Sequence, residues 1–386
     1  MANNIDLVLE RSKRKRRRQI TKFLIFLFFV AVGIFIYQMR DVWFPRLEGI
    51  GSRYQNNVTR NEDVGADGEF ELNVSGGVDY HADFIGNNLF ILCDKYLYIY
   101  GADGTLKDSR QHAYSNAVMK VSGKRALVYS HNGTSFRVDT PSGNVYEAQT
   151  EFPIWIGVLG EDGRAAIVTE SETYACRLNI FDANGKLVYT RECVDRLSDV
   201  SFYENGCICS TLGASEGELQ TTLSYITFDG DTVQWETDPI STLCLDLYAM
   251  PDGGAFVIGD DLAAYYSSTG ALVGSYDYNA TLIDYAFEDG KAAVLLSNEQ
   301  RRQSTLLLFA DRTSAPQSVS IDATEKAVIL DAETAYLLGS GEILSYAMSG
   351  DRKGAQPVKD AYDRMLKYGK YFYLLGYDKI NRDPIQ

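Results

Sequence analysis

Histidine and tryptophan are scarce in this 386-residue chain, with three of each. His81, His112 and His131 lie far apart and give no zinc-hydrolase spacing. No serine-hydrolase elbow is expected, so nothing points to nucleophilic catalysis. Of the six cysteines (Cys93, Cys176, Cys193, Cys207, Cys209 and Cys244), none stands in a Cys-x-x-Cys pair and no two are adjacent. Cys207 and Cys209, two apart on an expected strand, share a face, but only the scattered histidines are left to complete a metal site. Buried free thiols, or one or two disulfide staples, are expected instead of a metal. The segment 63–69 lacks the alternating carboxylates of a calcium loop and reads as a turn.

Charge is unevenly spread. The formal net charge is -15, yet the first 22 residues carry +6, because Arg14, Lys15, Arg16, Arg17, Arg18 and Lys22, with Arg11 and Lys13, face only Asp6 and Glu10. Residues 23–39 have no charged side chain at all. The 20-residue stretch 20–39 would span roughly 30 Å as a helix, enough to cross the hydrocarbon core of a bilayer. Positive charge before the span predicts a cytoplasmic N-terminus, and Tyr37, Trp43 and Phe44 suit the outer interface. A cleaved signal peptide is the competing reading, since Ala31-Val32-Gly33 offers small residues, but that site lies inside the apolar run. The expected organisation is therefore a basic cytoplasmic tail at 1–19, an uncleaved transmembrane helix at 20–39, an extracellular stalk at 40–67 and an exported domain from residue 68. The exported part is strongly acidic. It should repel nucleic acid, and its compartment permits disulfides.

Beyond the stalk, no long amphipathic helix is evident, and short runs of Val, Ile, Leu, Tyr and Phe alternate with turn dipeptides to the end of the chain. The turns recur. One set is Asn87-Asn88, Gly123-Lys124, Asp162-Gly163, Asn205-Gly206, Asp252-Gly253, Asp289-Gly290 and Gly369-Lys370, with a degenerate member near Ala332. A second set follows each by about twenty residues: Asp103-Gly104, Ser142-Gly143, Asn184-Gly185, Asp229-Gly230, Thr269-Gly270 and Ser349-Gly350. Each repeat then reads as strand, turn, strand, strand, turn, strand, with a period of about 40 residues, the length of a propeller blade. Eight starts predict an all-β, eight-bladed propeller, with seven blades as the alternative. The last repeat runs out of chain one strand short, whereas residues 69–74 alternate polar and apolar with no blade of their own. They are expected to close the last blade as its outer strand.

The hairpins at 228–236, 181–189 and 266–273, such as Phe181-Asp182-Ala183-Asn184-Gly185-Lys186-Leu187-Val188-Tyr189, resemble degenerate repeats of the PQQ-like (WD-repeat-like) propeller superfamily. With its basic tail and anchor, the whole chain resembles an uncharacterised family of membrane-anchored propellers of Gram-positive anaerobes. The resemblance implies fold and placement. Quinoproteins of that superfamily use vicinal cysteines and regular docking tryptophans, and this chain has neither, so no cofactor is expected.

Asp199, Asp246 and Asp284 fall at the starts of expected inner strands and are the carboxylates a glycosidase would need, although such aspartates commonly serve structure. Tyr96, Tyr98 and Tyr100 should share one face, either packing between blades or forming an aromatic platform. Two functions remain. One is a non-catalytic binding or scaffold module for an envelope protein or glycan, tethered to the bilayer and with no catalytic residue. The alternative is a carboxylate-dependent surface glycan hydrolase or lyase.

Overall fold

The computed structural model describes residues 70–74, 80–215, 217–298, 303–321, 325–359 and 361–385. The expected tail, span and stalk lie outside the described residues, and so do Arg14, Lys15, Arg16, Arg17, Arg18, Lys22, Tyr37, Trp43 and Phe44. Among the described residues no helix is long and apolar enough to cross a membrane.

Every described element is a strand, and the strands form eight antiparallel sheets of four. Seven sheets take their strands consecutively from the sequence: blades 1 to 7 cover 81–111, 117–149, 154–193, 196–236, 244–277, 281–321 and 325–357. Blade 8 combines 364–384 with the strand Glu71–Asn73. The protein is an eight-bladed propeller, and the seven-bladed alternative is set aside.

The composition of each strand follows from its distance to the axis. Second strands such as Arg125–Ser130 and Ala165–Thr169 are buried at every position, whereas outermost strands such as Leu106–Gln111 and Leu272–Asp277 are almost wholly exposed. A second strand is covered on both faces by neighbouring blades, so it reads as an unbroken apolar run. Its side chains alternate between two cores. Ala166 and Val168 pack toward blade 4, while Ala165 and Ile167 pack toward blade 2. Each of the eight blade-to-blade interfaces holds one such cluster.

The outer hairpins explain the second set of turns. In blade 3 the Gly185 N–H donates to the Asp182 carbonyl (3.0 Å) and the Asp182 N–H to the Lys186 carbonyl (2.8 Å), while the Asp182 carboxylate accepts from the Asn184 and Lys186 N–H groups. Gly185 has φ of +85°, the left-handed conformation that closes a three-residue hairpin with a bulge. In the first set two positions differ from expectation. The left-handed residue is Gly86 in blade 1 and Glu204 in blade 4, each one place before the dipeptide named from the sequence.

The ring closes where the chain begins. Glu71–Asn73 pairs antiparallel with Lys379–Pro384 in the register Glu71↔Asn381. Phe70 packs edge-on against Tyr373 with ring centroids 5.3 Å apart, and the Arg382 guanidinium lies over both Phe70 and Tyr371. Arg382 Nη1 and Tyr373 OH each donate to the Ala102 carbonyl at 2.8 Å, joining blade 8 to the outer turn of blade 1. Tyr80 OH donates to the Gly376 carbonyl (2.7 Å) across the same seam. Truncation of Phe70 to alanine should therefore lower the stability of the whole ring by roughly 2–4 kcal/mol, read as a shift of a single cooperative denaturation midpoint. Loss confined to a local transition would contradict this role.

Candidate functional site in the central channel

The innermost strands of blades 3 to 7 share a local irregularity. Their register with the second strand shifts between Ile154 and Ile156, Leu197 and Asp199, Cys244 and Asp246, Leu282 and Asp284, and Glu325 and Ala327. Such bulges re-aim the side chain that follows. In blades 4, 5 and 6 that residue is aspartate. Asp199 Oδ2 accepts the Leu247 N–H of blade 5 (2.8 Å), and Asp284 Oδ2 accepts the Val328 N–H of blade 7 (2.8 Å). Two further latches run alongside, from Ala249 N–H to Ser201 Oγ (2.9 Å) and from Ala332 N–H to Glu288 Oε2 (2.6 Å). Strand edges that would otherwise leave amides unpaired near the axis are thereby satisfied across blades.

Asp199 and Asp246 meet. Their carboxyl groups lie close enough to interact electrostatically, and Asp246 accepts from Tyr248 OH (2.8 Å), with Tyr285 nearby. Burial, reinforced by the charge of Asp246, pushes Asp199 up to about 8 from an ordinary 3.8. Asp199 thus keeps its proton near neutral pH. Burial likewise raises the phenols of Tyr248 and Tyr285, with the Asp246 charge adding to it. A cavity of about 700 Å³ extends from the pair past Ser201 and Lys120 to the hairpins at Asp162 and Glu204. Tyr285 is the partner that sequence could not reveal. Tyr248 was within reach, since it shares the strand face of Asp246 by alternation.

The other sequence candidates disperse. Asp284 is held up by burial but engages blade 7 rather than the pair. Tyr96, Tyr98 and Tyr100 do form a ladder, with centroids 5.6 and 6.3 Å apart, and Tyr98 and Tyr100 pack into the core between blades 8 and 1. The histidines sit on blades 1 and 2, remote in the ring from Cys207 and Cys209 on blade 4. His112 Nε2 meets the Cys93 carbonyl (2.8 Å), and His131 Nδ1 meets the Trp155 carbonyl (3.1 Å). Among the described residues no three ligands are placed to hold a metal ion. All six cysteines are thiols, with Cys93 half-buried and the others buried. One expectation needs correction: a Gly-x-Ser-x-Gly spacing is present at residues 213–217. Ser215 ends the strand Gly206–Ser215 at an exposed β-hairpin, paired with Glu218, rather than at a strand-to-helix turn, and every histidine lies on another blade.

A closed ring of eight four-stranded blades defines the molecule as a β-propeller. The chain belongs to the family described as a family of unknown function (DUF5711), whose model matches residues 61–382. No curated protein matches it. Among solved structures, Sqt1 of Saccharomyces cerevisiae is 9% identical with a TM-score of 0.59, covering 82% of this chain and 98% of that one. BamB from Moraxella catarrhalis is 10% identical with a TM-score of 0.51, covering 81% and 97%. The dihydro-heme d1 dehydrogenase NirN, in complex with DHE, is 13% identical with a TM-score of 0.57, covering 82% and 78%. At these identities the likeness is one of fold.

The raised carboxyls make stability pH-dependent. Burial also pushes Asp83 to about 6 and Glu325 to about 7. Between the unfolded values near 4 and these folded values, the folded chain holds protons the unfolded chain has released. The stability they confer is complete below about 4 and is lost as pH rises through about 6 to 8. Asp199→Asn keeps an acceptor for the Leu247 N–H and a donor for Asp246. Denaturation at pH 5 and pH 8 should show the wild type weakening at the higher pH, and the variant regaining about 1–3 kcal/mol there. A variant that follows the wild-type pH profile would remove Asp199 as the titrating group.

Proposed function

We propose that this protein is a membrane-tethered, extracytoplasmic propeller that binds a protein or glycan of the cell envelope and carries out no catalysis. The observation that carries this reading is the commitment of the channel carboxylates to bonds within and between blades. A glycosidase needs two carboxyl groups about 5 to 9.5 Å apart, with sugar between them. Asp199 is engaged by the Leu247 N–H of blade 5 (2.8 Å) and Asp246 by Tyr248 OH (2.8 Å), so both carboxyls are committed to bonds within the fold. Asp284, the remaining candidate, is occupied with a backbone amide of blade 7.

Tethering follows from the +6 tail and the uncharged span, with the bilayer as the first partner. The described chain starts at the outer edge of blade 8, so the stalk would join the ring at its rim and leave both channel mouths free. A net charge of -21 over residues 40–386 argues against nucleic acid and for partners of neutral or basic character. NirN shares the fold as a dehydrogenase, so the architecture alone does not forbid catalysis; the arrangement of this channel is what speaks against it.

Two experiments test the reading. Protease added to intact cells should spare residues 1–19 and cut the exterior, whereas a mature secreted product starting near Ile34 would overturn the anchor. The protein should retain an envelope component without releasing product, and Asp199→Asn should leave that retention unchanged. Glycan turnover that disappears in a folded Asp199→Asn or Asp246→Asn variant would establish the enzyme instead.

A further inference from the structure

Four of the six cysteines gather at one interface. Cys176 and Cys193 of blade 3 and Cys207 and Cys209 of blade 4 belong to the same buried cluster. Cys176 and Cys193 are register partners on the two outer strands of blade 3, Cys176–Phe181 and Leu187–Cys193; the Cys176 thiol donates to the Asp195 carbonyl (3.5 Å) and the Cys193 thiol to the Arg191 carbonyl (3.8 Å). Directly opposed residues in an antiparallel pair have Cα atoms about 4.5–5.5 Å apart, within the 4.4–6.8 Å range that a disulfide spans. Cys207 and Cys209 have sulfurs 3.5 Å apart, but they stand two along one strand, at about 6.6 Å between Cα atoms, near the limit of that range.

Access separates the two pairs. Cys193 is 8% exposed and lines a cavity of about 300 Å³ between blades 3 and 4, beside the exposed Val194. Cys207 and Cys209 are wholly buried, and neither lines that cavity. The surroundings of the first pair also favour a thiolate. The Leu197 N–H donates to Cys176 Sγ (3.4 Å), and Arg196 and Arg191 lie near Cys176 and Cys193. Interaction with Cys193 holds the Cys176 thiol below its ordinary range, with the Leu197 N–H and Arg196 helping against burial. That same interaction, with burial, pushes Cys193 up.

We propose that Cys176 and Cys193 form a redox-active dithiol that closes to a cross-strand disulfide by exchange with a small external disulfide entering the cavity between blades 3 and 4. Cys193, losing its proton to solvent in the cavity it lines, attacks one sulfur of the external disulfide. A mixed disulfide forms and one thiolate leaves. Cys176 then loses its proton and attacks Cys193 Sγ, forming the intramolecular bond and breaking the bond from Cys193 to the external sulfur, which leaves as the second thiolate. In sum, the two protein thiols give up two electrons and two protons, and one external disulfide becomes two thiols. The step is a property of these residues and does not rest on the binding function or on where the domain resides.

The full-length protein, freshly reduced and then freed of reductant, is incubated with oxidised glutathione while circular dichroism confirms that it stays folded. Remaining thiols are alkylated and the peptides mapped by mass spectrometry. The expected product links the Cys176 and Cys193 peptides and leaves Cys207 and Cys209 alkylated. Cys176→Ala should trap glutathione on Cys193, because the resolving thiol is gone, and Cys193→Ala should leave Cys176 unmodified. Recovery of both wild-type residues as free thiols, a stable glutathione adduct on wild-type Cys193, or a bridge between Cys207 and Cys209 would overturn the assignment.

Discussion

Each blade is a four-stranded sheet with two apolar faces and no core of its own, so it is stable only between neighbours. The eight buried clusters lie between blades, and the second strand of each blade divides its side chains between two of them. Opening the ring anywhere would expose one whole cluster to water, and closure falls in blade 8, where strands from the two ends of the described chain pair. This is why the strand Glu71–Asn73 returns to blade 8 and why Phe70, Arg382, Tyr373 and Tyr80 concentrate bonds there. Closure converts an open stack into a ring without a free end.

Near the axis the same geometry creates a polar problem. Innermost strands come close without pairing as a sheet, so their outward amides need acceptors from the next blade. Aspartates after the bulges supply them between blades 4 and 5 and between blades 6 and 7. Between blades 5 and 6 the contact is aromatic instead, with Tyr248 and Phe287 stacked at 3.9 Å. Asp246, left without the equivalent amide bond to blade 6, turns to Asp199, Tyr248 and Tyr285. The acid pair thus follows from how the blades are latched.

Farther out, charge does similar work. Asp139, fully buried in blade 2, is held by Arg137 of its own strand (2.6 Å) and by Arg110 from the outer strand of blade 1 (3.0 Å). Removing one member of such a group leaves a buried charge without its counter-charge, a far larger loss than the intact set is worth. The thiol cluster lies two interfaces further on, between blades 3 and 4, where small polarizable side chains fill the space between strands.

Much of the architecture was legible because it is local. Asp182-Ala183-Asn184-Gly185 makes its own turn through bonds spanning four residues, and an apolar run such as residues 165–168 announces burial on both faces wherever it occurs. Repetition of these signals at one spacing, with one strand too few at the end and one too many at the start, was enough to give eight blades. The pairing of Asp199 with Asp246, of Cys176 with Cys193 and of Phe70 with Arg382 was not legible, since each joins residues that only ring closure or strand register brings together. A period in the sequence records what every blade must do alike to fold. Which side chains meet across an interface depends on the rotation from one blade to the next and on where a bulge turns a strand, and those are decided only when all eight sheets are packed.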